Sequence, residues 1–404
     1  MISTPTPVPT GSFEIAADVI SGSDLALASD GTSWIAAFSA IGSRGKADVF
    51  TVPVSSDGSV PDAAPILISD VARLPSSVFN AAQATYSSPA ITFDGGDYAL
   101  VFFGAGGSGD TGDDPPGGQM VFATGISTAG EVNTRISSPV ENVSIGTAQP
   151  ALFEPLGAAA ADDSAFVLFS VGSLMYCFVP GCRVSVGAVL VSFATDPPQN
   201  DVPFDLAGPG LSNPFGLPLS GPAIAWQGSH ALAAWGEVEV RGGMAQEMVV
   251  KGALLAPRQE PEGVLIASSD ALVDATAVAV GDGQYLVVWR REQELRARLF
   301  RPGTGPLGPD DGFVVAAGPG TKRLGGTAFA QGVYLVVWTE EDGRVFVAHI
   351  SADGNVKSTV EFGDGASGGS AVASNGSTFL VAYLRGGGES GNTANLVGAF
   401  VPPP

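Results

Sequence analysis

The sequence is poor in the residues that most often carry catalysis, metal binding or nucleic-acid binding. It has two histidines, two cysteines and four lysines, and 40 acidic residues outnumber 18 basic ones to give a net charge of -22. Nucleic acids and anionic membranes are bound by clustered lysine and arginine, so we expect neither partner. Neither His230 nor His349 has a neighbour at metal-ligand spacing. This disfavours a zinc site and a histidine-dependent catalytic triad.

Long apolar runs and helical periodicity are also absent. No segment approaches the roughly 18 consecutive apolar residues of a membrane span, so we expect a chain that does not cross the membrane. Residues 1–10 lack the charged and apolar regions of a signal peptide. Their Pro/Thr-rich composition predicts a disordered spacer, of the kind left when an export signal or lipid anchor is trimmed. Residues 11–404 are expected to form a single domain.

One short apolar segment recurs along the chain. Gln284-Tyr-Leu-Val-Val-Trp289 and Val333-Tyr-Leu-Val-Val-Trp338 are nearly identical, and weaker copies end at Phe38, Phe103, Phe169, Trp235 and Tyr383. Aromatic, β-branched and Leu residues occupy both alternating sets of positions, which predicts a strand covered on both faces. A short turn and another apolar run precede each copy, which predicts a hairpin.

The spacing of these copies predicts the architecture. Their last aromatic residues are 45 to 66 residues apart, a period typical of propeller blades. We therefore predict an all-β fold, a seven-bladed β-propeller of four-stranded antiparallel blades. The last blade has only three strands of its own. We expect residues 11–18, around Ser12-Phe-Glu-Ile-Ala16, to add the fourth and close the ring, which removes two exposed sheet edges.

The repeats, Gly-x-Tyr-Leu-Val-Val-Trp followed by a strand that ends in Ser351-Ala-Asp-Gly354, resemble those of secreted bacterial β-propeller repeat proteins. The resemblance implies a binding or scaffold role in an extracellular or periplasmic location, with possible earlier anchoring to the cell surface. It implies no particular activity. The sequence lacks the blade motifs of WD40 and kelch propellers and the Ser-x-Asp-x-Gly-x-Thr-Trp box of sialidases.

Two local features bear on compartment and on metal binding. Cys177 and Cys182 flank a Pro-Gly turn, which predicts a disulfide and an oxidising compartment; two reduced loop thiols are the alternative. One acidic loop carries Asp110, Asp113 and Asp114, whose carboxylates suit calcium. A solvated insertion without metal is the favoured interpretation of this loop, and no other cofactor is expected.

Charged residues follow the recurring segment only in the second half of the chain. Strands of a blade are lettered a to d from the axis to the rim, so the segment is strand b. Two residues beyond its last aromatic, the first three copies carry Ala40, Ala105 and Val171, and the last four carry Glu237, Arg291, Glu340 and Arg385. Equivalent positions lie on one face of a propeller, so the pattern predicts an arc of alternating charge beside the b-to-c and d-to-a connections.

This arc has two interpretations. Arg291 and Arg385 bind a carboxylate or sulfate while Glu237 and Glu340 hold the arginines or accept hydroxyl hydrogen bonds, or all four charges form surface ion pairs between neighbouring blades. We predict a monomeric, non-enzymatic binding propeller whose partner is a glycan or another cell-surface molecule. The alternatives are a polysaccharide hydrolase or lyase that uses Glu237 and Glu340 as acid and base, and a structural module of an envelope assembly.

Overall fold

The structure, a computed structural model, describes residues 11–20, 24–61, 65–70, 72, 74, 84–105, 119–141, 150–161, 164–173, 184–194, 198–200, 204–206, 222–241, 244–269, 271, 273–386 and 393–404. Within these ranges the chain forms thirty β-strands and no α-helix. A search of the same residues for a helix able to cross a membrane finds none. Cys177, Cys182, Asp110, Asp113 and Asp114 lie outside the described residues, and so does the segment 1–10. The predictions made for them stay predictions.

The strands follow one another at short intervals along the chain. The first nine are β1 (Phe13–Ile20), β2 (Leu25–Ser29), β3 (Trp34–Ile41), β4 (Ala47–Val54), β5 (Ile66–Leu67), β6 (Thr85–Phe93), β7 (Tyr98–Ala105), β8 (Gln119–Ile126) and β9 (Ser137–Glu141). The next nine are β10 (Pro150–Ala161), β11 (Ser164–Ser173), β12 (Val184–Ser192), β13 (Gln199–Asn200), β14 (Phe204–Asp205), β15 (Ala223–Gln227), β16 (His230–Arg241), β17 (Met244–Leu255) and β18 (Glu262–Ser269). The last twelve are β19 (Val273–Gly281), β20 (Gln284–Arg291), β21 (Glu294–Arg301), β22 (Gly305–Leu307), β23 (Phe313–Ala316), β24 (Lys322–Ala330), β25 (Val333–Glu340), β26 (Val345–Ser351), β27 (Val356–Gly363), β28 (Ala366–Ser374), β29 (Phe379–Arg385) and β30 (Thr393–Val401).

These strands pair in six antiparallel sheets over the described residues. Three sheets have the orders β6-β7-β8-β9, β15-β16-β17-β18 and β24-β25-β26-β27. Two others begin with the orders β10-β11-β12 and β19-β20-β21. Two short outer strands complete each of them: β13 and β14 both pair with β12, and β22 and β23 both pair with β21. The sixth sheet has the order β28-β29-β30-β1-β3-β4-β5, and β2 pairs with β3. The predicted all-β class and the hairpin before each recurring segment are confirmed.

The N-terminal strand pairs with the C-terminal one, as the sequence predicts. In β1, Phe13 is the register partner of Gly398 in β30, and the pairing continues with two register shifts to the partners Ile20 and Thr393. Val19 also pairs with Ala40 in β3. The strand extends two residues beyond the predicted segment 11–18, and it links the sheet edges formed by the two ends of the chain.

The first strands of successive sheets contact one another. β2 contacts β6, and the series continues through β10, β15, β19, β24 and β28, which in turn contacts β2. The second strands are buried on both faces. In β20, Tyr285 and Trp289 pack with Leu232 on one side, while Leu286 packs with Trp338 on the other. The apolar residues at both sets of positions therefore serve contacts with two neighbouring sheets.

The tyrosine of the best-conserved repeat copies ties one sheet to the next. The Tyr285 hydroxyl donates to the carbonyl oxygen of His230 at 2.9 Å. The Tyr334 hydroxyl donates to the carbonyl oxygens of Gly281 at 3.0 Å and Gln284 at 3.2 Å. A buried hydroxyl needs a partner. Both find theirs in the preceding a-to-b hairpin, which explains the Tyr in these two copies.

Candidate functional site

The four predicted site residues lie at one end of their sheets. Arg291, Glu340 and Arg385 are the last residues of β20, β25 and β29, whereas Glu237 lies four residues before the end of β16. The same end carries the starts of the first strands of each sheet, and we call it the loop face. Residues two apart in a strand share a face. Each of the four side chains therefore starts on the inter-sheet face that also buries the preceding aromatic residue.

Glu237 is buried within its own sheet. Its side chain is 1% exposed, and its carboxylate accepts hydrogen bonds from Lys251 Nζ at 2.6 Å and from Trp235 Nε1 at 3.2 Å. Lys251 is the register partner of Trp235 across the β16–β17 pair, so cation and carboxylate come from adjacent strands. The carboxylate satisfies a buried indole and faces away from open solvent.

Arg291 and Glu340 also form ion pairs close to their own positions. Arg291 Nη2 lies 3.7 Å from Glu294 Oε2, across the β20–β21 turn. Glu340 Oε2 lies 3.0 Å from Arg344 Nη2, and its Oε1 lies 3.7 Å from Lys322 Nζ. Glu294, Arg344 and Lys322 belong to the same sheets as the residues they pair with, or to a turn within them. The interpretation as ion pairs between neighbouring blades stays a prediction.

Arg385 differs from the other three because it is half exposed. Its side chain is 51% exposed, and its Nη2 lies 3.8 Å from the 78% exposed Asp364. Arg385 lines a cavity of about 270 Å³ with Tyr383, Glu361 and Ser12. Burial raises the pKa of the Tyr383 hydroxyl, with Arg385 opposing the shift. The phenol therefore stays protonated at neutral pH and remains a hydrogen-bond donor.

Charged side chains do join neighbouring sheets, at positions that sequence analysis did not single out. Arg298 is buried in β21, and its Nη1 donates to the carbonyl oxygen of Ile266 in β18 at 2.7 Å. Its other donors reach the carbonyl oxygens of Leu307, Gly308 and Asp310 and the Asp310 carboxylate, at 3.1 to 3.3 Å. All three guanidinium nitrogens are bonded, which indicates a structural role.

A second cavity lies on the axis around which the first strands are arranged. Its volume is about 330 Å³, and β2, β6, β10, β15, β19, β24 and β28 all contribute to its lining. The lining is mostly Ala, Gly, Pro, Leu and Ile, and its polar members are Asp24, Thr276, Arg323, Thr327 and Ser370. A cavity lined by mainly apolar groups with a few polar ones has the composition of a ligand site.

The sequence pattern before Val333–Trp338 predicts strand a over residues 326 to 330, which leaves Arg323 outside the strand. The structure starts β24 at Lys322, so that Gly325 and Gly326 lie within the strand. A register shift follows Leu324. The sequence did contain one signal for this position. Lys322 and Arg323 stand directly before Leu-Gly-Gly, and two adjacent charges are unusual at the start of an inner strand.

Comparison with known proteins supports the fold alone. No protein-family model matches the chain. No curated protein matches it either. Among solved structures, Trypanosoma rangeli sialidase in complex with sialic acid superposes with a TM-score of 0.53 at 10% identity, over 97% of this chain and 59% of the sialidase. This chain therefore spans about three fifths of the sialidase's length.

Two further structures are similar at lower scores. A subtype N10 neuraminidase-like protein of A/little yellow-shouldered bat/Guatemala has a TM-score of 0.43 at 12% identity, over 97% of this chain and 99% of its own. A prolyl endopeptidase has a TM-score of 0.49 at 10% identity, over 96% of this chain and 51% of its own. Together, the antiparallel sheets and the sialidase likeness define a β-propeller-like all-β fold.

Proposed function

We propose that residues 11–404 form one domain of seven four-stranded blades, closed into a ring by β1. The seven inner strands that line the axial cavity support this count, as does the contact of β28 with β2. The pairing of β1 with both β30 and β3 supports the closure. Closing the ring pairs the two strand edges that an open array would expose at its ends.

We propose a non-enzymatic binding function for this ring, with a glycan or another surface molecule bound at the loop face. The observation that carries the proposal is the half-exposed Arg385 beside a cavity that also contains the Tyr383 phenol. A guanidinium engages a carboxylate or sulfate through two parallel hydrogen bonds. The phenol adds a neutral hydrogen-bond donor to the wall of the cavity, which suits a hydroxylated ligand. The repeat resemblance supports an extracellular or periplasmic location.

The surroundings of the two glutamates favour binding over catalysis. A general acid or base must reach a substrate within about 3 Å. The Glu237 carboxylate is buried against Lys251 and Trp235, and the Glu340 carboxylate is bracketed by Lys322 and Arg344. Both groups are held by cations of their own sheet. Their role in the proposal is to maintain the loop face that presents Arg385 and Arg291.

The exposed apolar residues do not favour a structural interaction module. Among the described residues, the large apolar side chains with high exposure are Ile41, Leu265, Val314 and Val356. They lie on β3, β18, β23 and β27, in four different parts of the sheet system. Such single residues are normal on a protein surface, whereas an interaction module presents a contiguous patch.

A glycan array that includes carboxylated and sulfated sugars tests the binding function. The full chain should bind an anionic subset, and Arg385→Gln should weaken that binding by about 1.5 to 3 kcal/mol, the contribution of a hydrogen bond to a charged group. The matched control is Arg258→Gln, because Arg258 is exposed in the β17–β18 turn at the opposite end of the sheets. Equal binding by both variants and the parent would overturn the role of Arg385.

A further inference from the structure

The axial cavity contains a guanidinium that the fold leaves unpaired. Arg323 is exposed and lines the cavity near the start of β24. Among the described residues, its side chain has neither an ion pair nor a hydrogen bond. The neighbouring Lys322, by contrast, is buried and bonds to the carbonyl oxygen of Gly318 at 3.1 Å. Lys322 therefore has a structural role, whereas the guanidinium of Arg323 is unpaired.

The backbone of β24 is shaped to bring this part of the strand close to its neighbour. A Cβ atom on Gly325 would collide with Ser370 of β28, and Gly326 has a φ of +145° and faces Val372. Glycine is the residue that permits both the close approach and this φ. The register shift between Leu324 and Gly326 is a bulge, a device that redirects side chains. The bulge separates Arg323 from the regular part of the strand.

The lining of the same cavity also includes a carboxylate. Asp24, at the start of β2, also lines the cavity, and one of its carboxylate oxygens accepts from Ser88 at 2.6 Å. Its other oxygen offers a further acceptor.

We propose that the axial cavity binds a small hydroxylated carboxylate, with Arg323 holding the carboxylate and Asp24 accepting a hydrogen bond from a hydroxyl group. The volume of about 330 Å³ lies at the lower end of the range for ligand pockets, which suits a ligand of monosaccharide size. Both oxygens of a carboxylate match the planar fork of a guanidinium. This inference rests on the proposed binding function but not on the Arg385 cavity, which is a separate space.

Glucuronate and glucose form a matched pair of probes, because they differ in the carboxylate. We expect glucuronate to bind the full chain in calorimetric or saturation-transfer NMR titrations, and glucose to bind at least about tenfold more weakly. Arg323→Gln should weaken glucuronate binding by about tenfold to a hundredfold. Arg258→Gln should leave it unchanged, since Arg258 does not line the axial cavity and is exposed at the opposite end of the sheets.

The melting temperature of Arg323→Gln separates a binding effect from a folding effect. Arg323 is exposed and forms no ion pair or side-chain hydrogen bond with the described residues, so its replacement should leave the melting temperature unchanged. Equal glucuronate and glucose binding, no binding of glucuronate, or unchanged binding by Arg323→Gln would each overturn the axial site. If Arg385→Gln alone abolishes glucuronate binding, the loop-face function stands and the axial assignment fails. If the glycan array shows no binding that depends on Arg385 while glucuronate binds through Arg323, the axial assignment stands and the loop-face function fails.

Discussion

Replacing Ile15 with Ala tests whether β1 closes the ring. Ile15 is buried at 4% exposure, in one cluster with residues from both ends of the chain, among them Trp34, Phe38, Leu380 and Leu396. No other described strand pairs with both β30 and β3. A smaller side chain at this position therefore opens a cavity where the two chain ends meet, and leaves the strand itself able to pair.

The size of the effect follows from the packing around the side chain. A buried Ile→Ala change costs about 2 to 5 kcal/mol, depending on how well the site collapses. Ile15 Cδ1 lies only 2.8 Å from where a Cβ atom of Gly398 would be, so the side chain fills the space above a glycine backbone. That backbone is held by hydrogen bonds and relaxes little. We therefore expect a loss in the upper half of this range.

Denaturant unfolding followed by circular dichroism and Trp fluorescence measures the loss from the midpoint and the slope. Ile41→Ala is the matched control, because Ile41 is 52% exposed at the end of β3. It should change the free energy of unfolding by less than about 0.5 kcal/mol. If Ile15→Ala is no more destabilising than Ile41→Ala, β1 does not carry the closure, and the ring must be held together by other contacts.

Four further predictions follow from individual contacts. Arg298→Met should lower the free energy of unfolding by about 3 to 5 kcal/mol, because buried acceptors in two sheets lose their donors; a loss under about 1 kcal/mol in denaturant unfolding would contradict this. Tyr334→Phe should cost about 0.5 to 1.5 kcal/mol by the same assay, the net value of a hydrogen bond, and a neutral result would remove the hydroxyl as an inter-sheet tie. Burial lowers the pKa of His349. The contribution of its neutral imidazole to the free energy of unfolding should therefore be fully present above about pH 6.5 and be lost as the pH drops towards the folded-state pKa; His349→Gln should remove this dependence from melting curves recorded at successive pH values. In protein made under oxidising conditions, intact mass after alkylation without reduction should show Cys177 and Cys182 joined in a disulfide; two alkylated thiols would contradict the disulfide and weaken the extracellular assignment.

The sheet system could be predicted well because its signal is local and repeated. Alternation in Gln284–Trp289 and its copies specifies a strand, and the apolar residues on both faces specify cover from both sides. The β1–β30 pairing was predictable because the last predicted blade has only three strands of its own. Strand bounds were less accurate: β1 runs to Ile20, two residues past the predicted end. Pairing partners across bulges depend on tertiary contacts that a linear pattern does not contain.

Arg291, Glu340 and Arg385 end their strands, whereas Glu237 lies within β16, and the environments of the four side chains were not foreseen. Trp235 and Glu237 share a strand face, and the sequence alone shows this. It does not show how far the neighbouring sheet extends over that face. The exposed fractions of the side chains at the equivalent positions are 1% for Glu237, 17% for Glu340, 22% for Arg291 and 51% for Arg385. The same position of the repeat therefore holds a buried structural carboxylate in one copy and an accessible guanidinium in another.

The position of Arg323 shows how a tertiary contact can override a local sequence rule. Paired glycines normally mark a turn, and a strand predicted over residues 326 to 330 leaves Arg323 outside it. In the structure the pair is inside β24, where β28 approaches too closely for any side chain at Gly325. The local rule fails because a contact between two sheets overrides it. Positions where local preference and tertiary structure disagree are often functional, so the glycine pair is itself a reason to test the unpaired guanidinium beside it.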